Sequence, residues 1–143
     1  MKRWIALLVV ALALPVLAQY GPPPGPPPGQ GPGPWVYGDH PRWEPGWNQR
    51  PSPRRGACFF TTAPFRGNRF CVRAGDKLPA LPDAFGDNIS SIQTYGGARV
   101  RIFNDRNFSG GSTVVGRSID DLRRLPFRGG HTWNNRISSM MVF

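Results

Sequence analysis

The stretch Phe60–Gly67, FTTAPFRG, decides the fold of this chain, because it returns later as Phe103–Gly110, FNDRNFSG. Both copies follow the pattern aromatic-x4-aromatic-x-Gly. A second pair follows in the same order, with Gly86–Ser91, GDNISS, matched by Asn134–Ser139, NNRISS. Self-similarity at a period of about 43 residues indicates two structural units. Each unit is too short to bury a core alone, so we expect the two to pack sheet on sheet.

The sequence around these motifs is typical of an all-β domain. From Ala57 onward, short apolar stretches are interrupted every eight to twelve residues by Gly, Pro, Asn or Asp. The predicted strands are Cys58–Thr61, Arg69–Arg73, Ile89–Tyr95, Ala98–Phe103, Ser112–Val115 and Ile137–Phe143. One stretch, Ser118–Leu125, resembles a helix but is too short for more than a turn or two. We therefore predict a β-sandwich over residues 56–143, with repeats at about 57–97 and 98–143.

Residues 1–18 have the features of a signal peptide. Two basic residues precede an apolar run, Trp4–Leu14, which is too short to continue through a bilayer as a stop-transfer helix. Val16 and Ala18 place small residues at −3 and −1 of a cleavage site. An uncleaved membrane anchor is the alternative. The sequence thus predicts export to the periplasm or the medium, with a mature chain that begins near Gln19.

Residues 19–55 form a different kind of segment, with twelve prolines and seven glycines in 37 residues. It holds few aliphatic residues, so it cannot bury enough surface to offset the entropy of ordering. The spacing in Gly21–Gly29 lacks the glycine at every third position that collagen requires. We predict a disordered, partly polyproline II linker. Its aromatic residues either fold back on the domain or contact a ligand or the cell wall; they are Trp35, Tyr37, Trp43 and Trp47.

Cys58 and Cys71 are the only cysteines of the chain. An even pair in a protein bound for an oxidising compartment predicts a disulfide. A metal-binding or redox pair is disfavoured, because the sequence has no Cys-x-x-Cys motif and no histidine near the pair. If Phe60–Gly67 forms a hairpin, the two cysteines fall on neighbouring antiparallel strands, where opposed β-carbons are close enough to be bridged.

The chain is basic, with 18 Lys and Arg against 8 Asp and Glu and a formal net charge of +10. From Gly56 onward there are twelve basic and six acidic side chains, so the predicted domain alone is +6. No basic run there exceeds two residues, and export argues against nucleic acid as a partner. The charge instead favours weak attraction to anionic envelope or cell-surface material. We expect a monomer, and the sequence identifies no protein partner.

The paired motifs resemble those of βγ-crystallin domains, in their bacterial, secreted, single-domain form. Aromatic-x4-aromatic-x-Gly is similar to the folded first hairpin of that family, and (Asn/Asp)-(Asn/Asp)-x-x-(Ser/Thr)-Ser is the family's calcium motif. Asn134–Ser139 matches this motif fully, whereas Gly86–Ser91 has glycine at its first position. The resemblance covers Gly56–Phe143 and implies two Greek-key motifs packed as a sandwich.

The same resemblance implies weak calcium binding at two sites, each built from both repeats. The ligands would be a side chain from the second motif position, a hydroxyl from the fifth, and backbone carbonyls. Carried over by position, the candidates are Asp87, Asn88 and Ser90 from the first repeat and Asn135, Arg136 and Ser138 from the second, with Asn88 and Arg136 contributing carbonyls. Ca²⁺ is a hard cation that binds such oxygen atoms. The alternative is that the Ser and Asn side chains only satisfy backbone groups at tight turns.

The sequence offers no catalytic constellation, and we expect no enzyme. His40 and His131 lack a nucleophile, paired carboxylates or zinc-ligand spacing around them. Two other roles stay open beside a calcium-binding domain with a structural, stress or envelope role. One is a secreted protease inhibitor of crystallin-like fold, with Arg66 or Arg128 as the specificity residue. The other is a purely structural envelope protein that has lost calcium binding.

Overall fold

A computed structural model describes residues 42–143, so the predicted signal peptide and residues 19–41 of the predicted linker lie outside the described part. Within it, seven strands form two antiparallel sheets, which confirms the predicted all-β sandwich; six strands have a predicted counterpart. The strands are β1 Gly56–Thr62, β2 Arg66–Arg73, β3 Lys77–Leu78, β4 Ser91–Tyr95, β5 Val100–Phe103, β6 Ser112–Val115 and β7 Ser139–Val142. The strand order is β2-β1-β4 in the first sheet and β3-β7-β5-β6 in the second.

The two repeats exchange contacts: the second sheet includes one strand of the first repeat, and the first sheet receives one isolated bridge from the second repeat. Strand β3 belongs to the first repeat but pairs with β7 of the second, with Leu78 opposite Met140. In return, Ile119 of the second repeat forms a bridge to Ile92 on β4, with N–O distances of 2.7 and 2.9 Å. These crossovers fit the two Greek-key motifs that the resemblance to βγ-crystallin domains implies.

The core lies between the two sheets and is filled from both. Phe59 on β1 stacks on Phe70 of β2, with ring centroids 5.0 Å apart, and Phe70 meets Phe85 edge to face at 4.7 Å. Trp133 is the largest buried side chain, and Ile102 on β5 is fully buried from the second sheet. Because strand residues alternate between faces, the apolar residues at every second position supply this core.

The helical content is limited to short 3₁₀ turns in the described residues, at Pro45–Gln49, Leu122–Arg124 and Arg128–Gly130. Within the helix-like stretch predicted at Ser118–Leu125, only Leu122–Arg124 is helical. Asp121 caps this turn by accepting a hydrogen bond from the backbone N–H of Arg123 at 3.0 Å. Strand β3 has no counterpart among the predicted strands, because two residues are too few to show an alternating pattern.

The predicted disulfide is confirmed. Cys58 on β1 and Cys71 on β2 lie directly opposite each other in the strand register and are bonded. Both are fully buried, beside Phe60. The bond therefore joins the two strands of the first hairpin, on the side of the first sheet that faces away from the main core.

Residues 42–55, which we call the strap, correct the prediction of a disordered linker over that range. Trp47 is only 7% exposed, and the indole N–H of Trp43 donates to the backbone carbonyl of Arg69 at 3.0 Å. The Arg69 guanidinium in turn donates to the carbonyls of Asn48 and Arg50, at 3.1 and 2.6 Å. Two tryptophans thus supply the apolar burial that the proline-rich composition lacks. Of the two interpretations given to the linker aromatics, folding back on the domain holds for Trp43 and Trp47.

Candidate calcium-binding site

The repeated octapeptides form the two hairpins that frame the site. In each, the two aromatic rings pack edge to face with centroids 5.8 Å apart, for Phe60 with Phe65 and for Phe103 with Phe108. Gly67 has φ +78°, and a β-carbon there would collide with a threonine side chain of β1. Only glycine adopts this conformation at little cost, so the sequence pattern follows from the shape of the hairpin.

The second serine of each hexapeptide fastens the motif to the hairpin of its own repeat. Ser91 Oγ donates to the carbonyl of Thr62 at 3.1 Å and accepts from the N–H of Phe65 at 2.9 Å. Ser139 makes the same two bonds in the second repeat, at 2.6 and 3.0 Å. Both serines are fully buried. For these two residues, the alternative interpretation as partners of backbone groups is correct.

The first serine of the second hexapeptide points instead to the other repeat. Ser138 Oγ lies 3.2 Å from Asp87 Oδ1 and donates to the carbonyl of Asn104 at 2.9 Å. We call these three groups the Asp87 cluster. Asp87 comes from the first repeat, and the other two residues come from the second. A carboxylate, a hydroxyl and a carbonyl oxygen from three segments of the chain therefore meet at one place.

A smaller counterpart, the Asn135 cluster, pairs Asn135 with Ser90. Ser90 Oγ donates to Asn135 Oδ1 at 3.4 Å, again across the two repeats. Asp87 and Asn135 both have left-handed backbones, with φ of 53° and 55°. Asn and Asp tolerate this conformation better than most residues do. The backbone N–H of each also crosses to the other repeat, that of Asp87 to Ile137 O at 3.3 Å and that of Asn135 to Ile89 O at 2.9 Å.

Asn88 and Arg136, predicted to offer carbonyls, lie next to these clusters. Neither carbonyl accepts a hydrogen bond from residues 42–143, so both are available to a ligand. The side chains are directed elsewhere: Asn88 Nδ2 donates to the carbonyl of Ala84 at 3.2 Å, and Arg136 Nη2 lies 3.1 Å from His131 Nδ1. Arg136 therefore does not neutralise Asp87 through an ion pair.

The two clusters differ in charge. Asp87 and Asn104 of the Asp87 cluster line an open depression of about 380 Å³, which Asn135 also borders, and the Asp87 carboxylate forms no salt bridge to the described residues. The Asn135 cluster has no carboxylate. Ser90 instead shares a depression of about 190 Å³ with Arg123.

Arg123 is held beside the Asn135 cluster by Asp121. Arg123 Nη2 lies 2.9 Å from Asp121 Oδ2. The hydrogen bond from the Arg123 side chain lowers the pKa of the Asp121 carboxyl, and the same bond raises the pKa of Arg123. Arg123 therefore lies near Ser90 as one half of an ion pair, whereas no described residue forms an ion pair with the carboxylate of the Asp87 cluster.

Sequence reasoning missed the Asn104 carbonyl. A backbone oxygen carries no residue-type signal, and its place in the cluster depends on the fold of the second hairpin. The repeat itself offers a clue, because Asn104 follows the first aromatic residue of its octapeptide, as Thr61 does in the first copy. Thr61 accordingly lines the depression at the Asn135 cluster. Within the described residues, no three His, Cys, Asp or Glu side chains gather, so a metal here would need amide, hydroxyl and carbonyl oxygens beside the single carboxylate of Asp87.

Solved structures with this architecture are βγ-crystallin domains. One, described in work on the evolution of the eye lens βγ-crystallin fold, matches with a TM-score of 0.54 and 22% identity, over 66% of this chain and 91% of the other. A domain of the abundant perithecial protein of Neurospora crassa, in its Ca²⁺-bound form, matches at 0.50 and 17% identity, over 62% and 88%. A βγ-crystallin from an archaeon matches at 0.50 and 23%, over 62% and 98%. The chain therefore has the βγ-crystallin fold.

Sequence comparison gives a second indication. The model of peptidase inhibitor family I36 matches residues 47–115. The match starts at the buried Trp47 of the strap and ends with β6, so it includes the disulfide and the first hexapeptide but not Asn134–Ser139. No curated protein matches the chain significantly. Among the described residues there is no helix with the length and apolarity needed to cross a membrane.

Proposed function

We propose that this exported, non-enzymatic domain binds calcium weakly, and that the ion stabilises it by joining its two repeats at the Asp87 cluster. The observation that carries the proposal is the position of Ser138 Oγ, within hydrogen-bonding distance of both the Asp87 carboxylate and the Asn104 carbonyl. Ca²⁺ binds six to eight oxygens at 2.3–2.6 Å, which places neighbouring ligands about 3 Å apart. The oxygens of the cluster already have this spacing.

The two clusters should differ in their affinity for calcium. Calcium affinity rises with the number of charged ligands, and the Asp87 cluster has one carboxylate while the Asn135 cluster has none. We expect a dissociation constant on the order of 10⁻⁴ to 10⁻³ M at the Asp87 cluster, as in extracellular modules, and weaker binding at the other. Such a site is filled by environmental calcium and serves a structural role, in the envelope or under stress.

Thermal melting tests the proposal. At free calcium ten times the dissociation constant, one site adds about 1.4 kcal/mol, which raises the melting temperature of a domain of this size by several degrees. Asp87→Asn should abolish most of the rise, because it removes the charge and keeps the shape. Asn135→Ala should remove a smaller part. Asp83→Asn is the matched control, since Asp83 is exposed and lies outside both clusters.

Magnesium provides a control for the melting test, and two outcomes of the test would contradict the proposal. Magnesium at the same concentration should have little effect, because it demands a tighter octahedral geometry. The proposal fails if calcium gives no rise at about tenfold the expected dissociation constant. It also fails if Asp83→Asn and Asp87→Asn reduce the rise equally.

A second candidate function is protease inhibition, which the family-model match over residues 47–115 favours. The matched range contains Arg66, which is exposed where the first hairpin enters β2, but it excludes Arg128. If the domain inhibits a protease with a preference for basic residues, Arg66→Ala should abolish inhibition, and Arg128→Ala should retain it. A panel of serine, cysteine and metalloproteases tests this. Inhibition that survives Arg66→Ala would exclude Arg66 as the specificity residue.

A further inference from the structure

The outward side of the second sheet carries cations and apolar residues side by side. Met141 on β7 lies opposite both Lys77 on β3 and Arg101 on β5, and Arg101 lies opposite Val114 on β6. Directly paired residues point to the same side of a sheet, so these four form one row. Arg99 and Phe143 form the next row, paired by N–O bonds of 2.7 and 2.9 Å. We call these residues the cationic face: Lys77, Arg99, Arg101, Val114, Met141 and Phe143.

Each cation of this face is available to a partner. Lys77, Arg99 and Arg101 are all exposed. Salt bridges within residues 42–143 occur only between residues 120 and 124, on another part of the domain. Asp76 precedes β3 at one edge of the sheet, and Arg117 follows β6 at the opposite edge. The side chains of the face itself carry a charge of +3, from Lys77, Arg99 and Arg101.

The apolar residues lie among these charges. Phe143 is 42% exposed, and among residues 42–143 it is the one large hydrophobic side chain that is exposed. The Arg99 guanidinium lies 5.5 Å from the centre of its ring. Met141 and Val114 are half-buried between the cations. An aromatic and aliphatic centre with a basic border suits the interface of a bilayer, where apolar groups enter the acyl boundary and basic groups contact the headgroups.

The outward side of the first sheet does not offer such a surface, because the strap covers part of it. Ser52 Oγ lies 3.1 Å from the Tyr95 hydroxyl and accepts from Arg69 at 3.3 Å, over the buried disulfide. No described segment covers the second sheet in the same way. A second copy of the chain is a poor occupant, because a self-paired contact would oppose like charges.

We propose that the cationic face docks the domain on lipid bilayers that contain anionic headgroups. The positive charge of the face indicates an anionic partner. The apolar side chains of Phe143 and Met141 among these charges favour a lipid surface over a soluble polyanion. Near an anionic bilayer, each Lys or Arg contributes ~1 kcal/mol, which is about fivefold in binding. This docking is independent of the calcium site.

Vesicle sedimentation tests the proposal with the mature chain in EDTA, so that its outcome is separate from that of calcium binding. Vesicles of phosphatidylcholine with phosphatidylglycerol should bind the protein, and vesicles of phosphatidylcholine alone should not. Lys77→Gln combined with Arg101→Gln should weaken binding by about 25-fold. The matched control is Arg42→Gln combined with Arg54→Gln, which removes the same charge from exposed residues outside the face. This control should weaken vesicle binding by less than about threefold. Stacked sheets lie ~10 Å apart, about one Debye length, so charges on the strap over the first sheet are largely screened from a bilayer at the cationic face.

Phe143→Ser separates lipid from polysaccharide. It should weaken vesicle binding and leave binding to heparin, a soluble polyanion, unchanged. Melting temperatures of all variants should match the wild type, since the replaced side chains are exposed. The proposal is overturned if both double variants lose binding equally, if neutral vesicles bind as well as anionic ones, or if heparin binds while anionic vesicles do not.

Discussion

The two serines that end each hexapeptide are neighbours in sequence but differ in surroundings. Ser139 is buried and bonds two backbone groups of its own hairpin, whereas Ser138 reaches across to Asp87. Ser139 is the first residue of β7, whereas Ser138 precedes the strand and lies beside the other repeat. A motif with two consecutive serines thus supplies one structural hydroxyl and one candidate ligand.

This division predicts different costs for the two serine deletions. Ser139→Ala leaves the Phe108 N–H and the Asp105 carbonyl without their partner, so the free energy of unfolding should fall by about 1–3 kcal/mol. Ser138→Ala, at a half-buried position, should cost less than about 1 kcal/mol without calcium. Urea denaturation in EDTA measures both. Equal losses would contradict the assignment of separate roles.

The strap is the element that composition predicts least well. Proline and glycine dominate residues 19–55. Segments of this composition bury too little apolar surface to fold, so the composition predicts disorder. Within residues 42–55, two tryptophans supply the missing contacts: Trp47 is buried, and the indole N–H of Trp43 donates to a backbone carbonyl of β2. A few large side chains are enough to dock a short segment, and only the tertiary structure shows which segment docks.

Removing the Trp47 side chain should therefore destabilise the whole domain. A buried Trp→Ala change costs about 3–5 kcal/mol through lost burial and the cavity left behind. Glu44→Ala, at an exposed position in the same strap, should stay within about 0.5 kcal/mol of the wild type. Chemical denaturation followed by circular dichroism distinguishes the two. A Trp47→Ala variant as stable as Glu44→Ala would show that the strap adds nothing to the fold.

The disulfide of the first hairpin should also contribute to stability. Its two cysteines are 13 residues apart. A loop of this size is worth about 3 kcal/mol in the chain-entropy model. Reduction of the wild type should lower the melting temperature, and the same reductant should leave Cys58→Ala combined with Cys71→Ala unchanged. A wild type whose melting is insensitive to full reduction would contradict the prediction.

The sequence was sufficient for the sandwich and the disulfide, because both rest on periodic or paired residues. The Greek-key motifs and the candidate ligands followed from the resemblance to βγ-crystallin domains, which implied sites built from both repeats, and in the structure Asp87 lies beside Ser138 and Ser90 beside Asn135. The Asn104 carbonyl could not be predicted in this way, nor could Arg123 beside Ser90. Both depend on how the two repeats pack, which no local pattern records.

Calorimetric titration of the mature chain with calcium tests the central claim most directly. The wild type should bind with a dissociation constant on the order of 10⁻⁴ to 10⁻³ M, and its strongest site should disappear in Asp87→Asn. Asn135→Ala should leave that site in place, because it removes no charge and no oxygen from the Asp87 cluster. Absence of binding by the wild type, or binding that Asp87→Asn leaves intact, would contradict a calcium site at the Asp87 cluster.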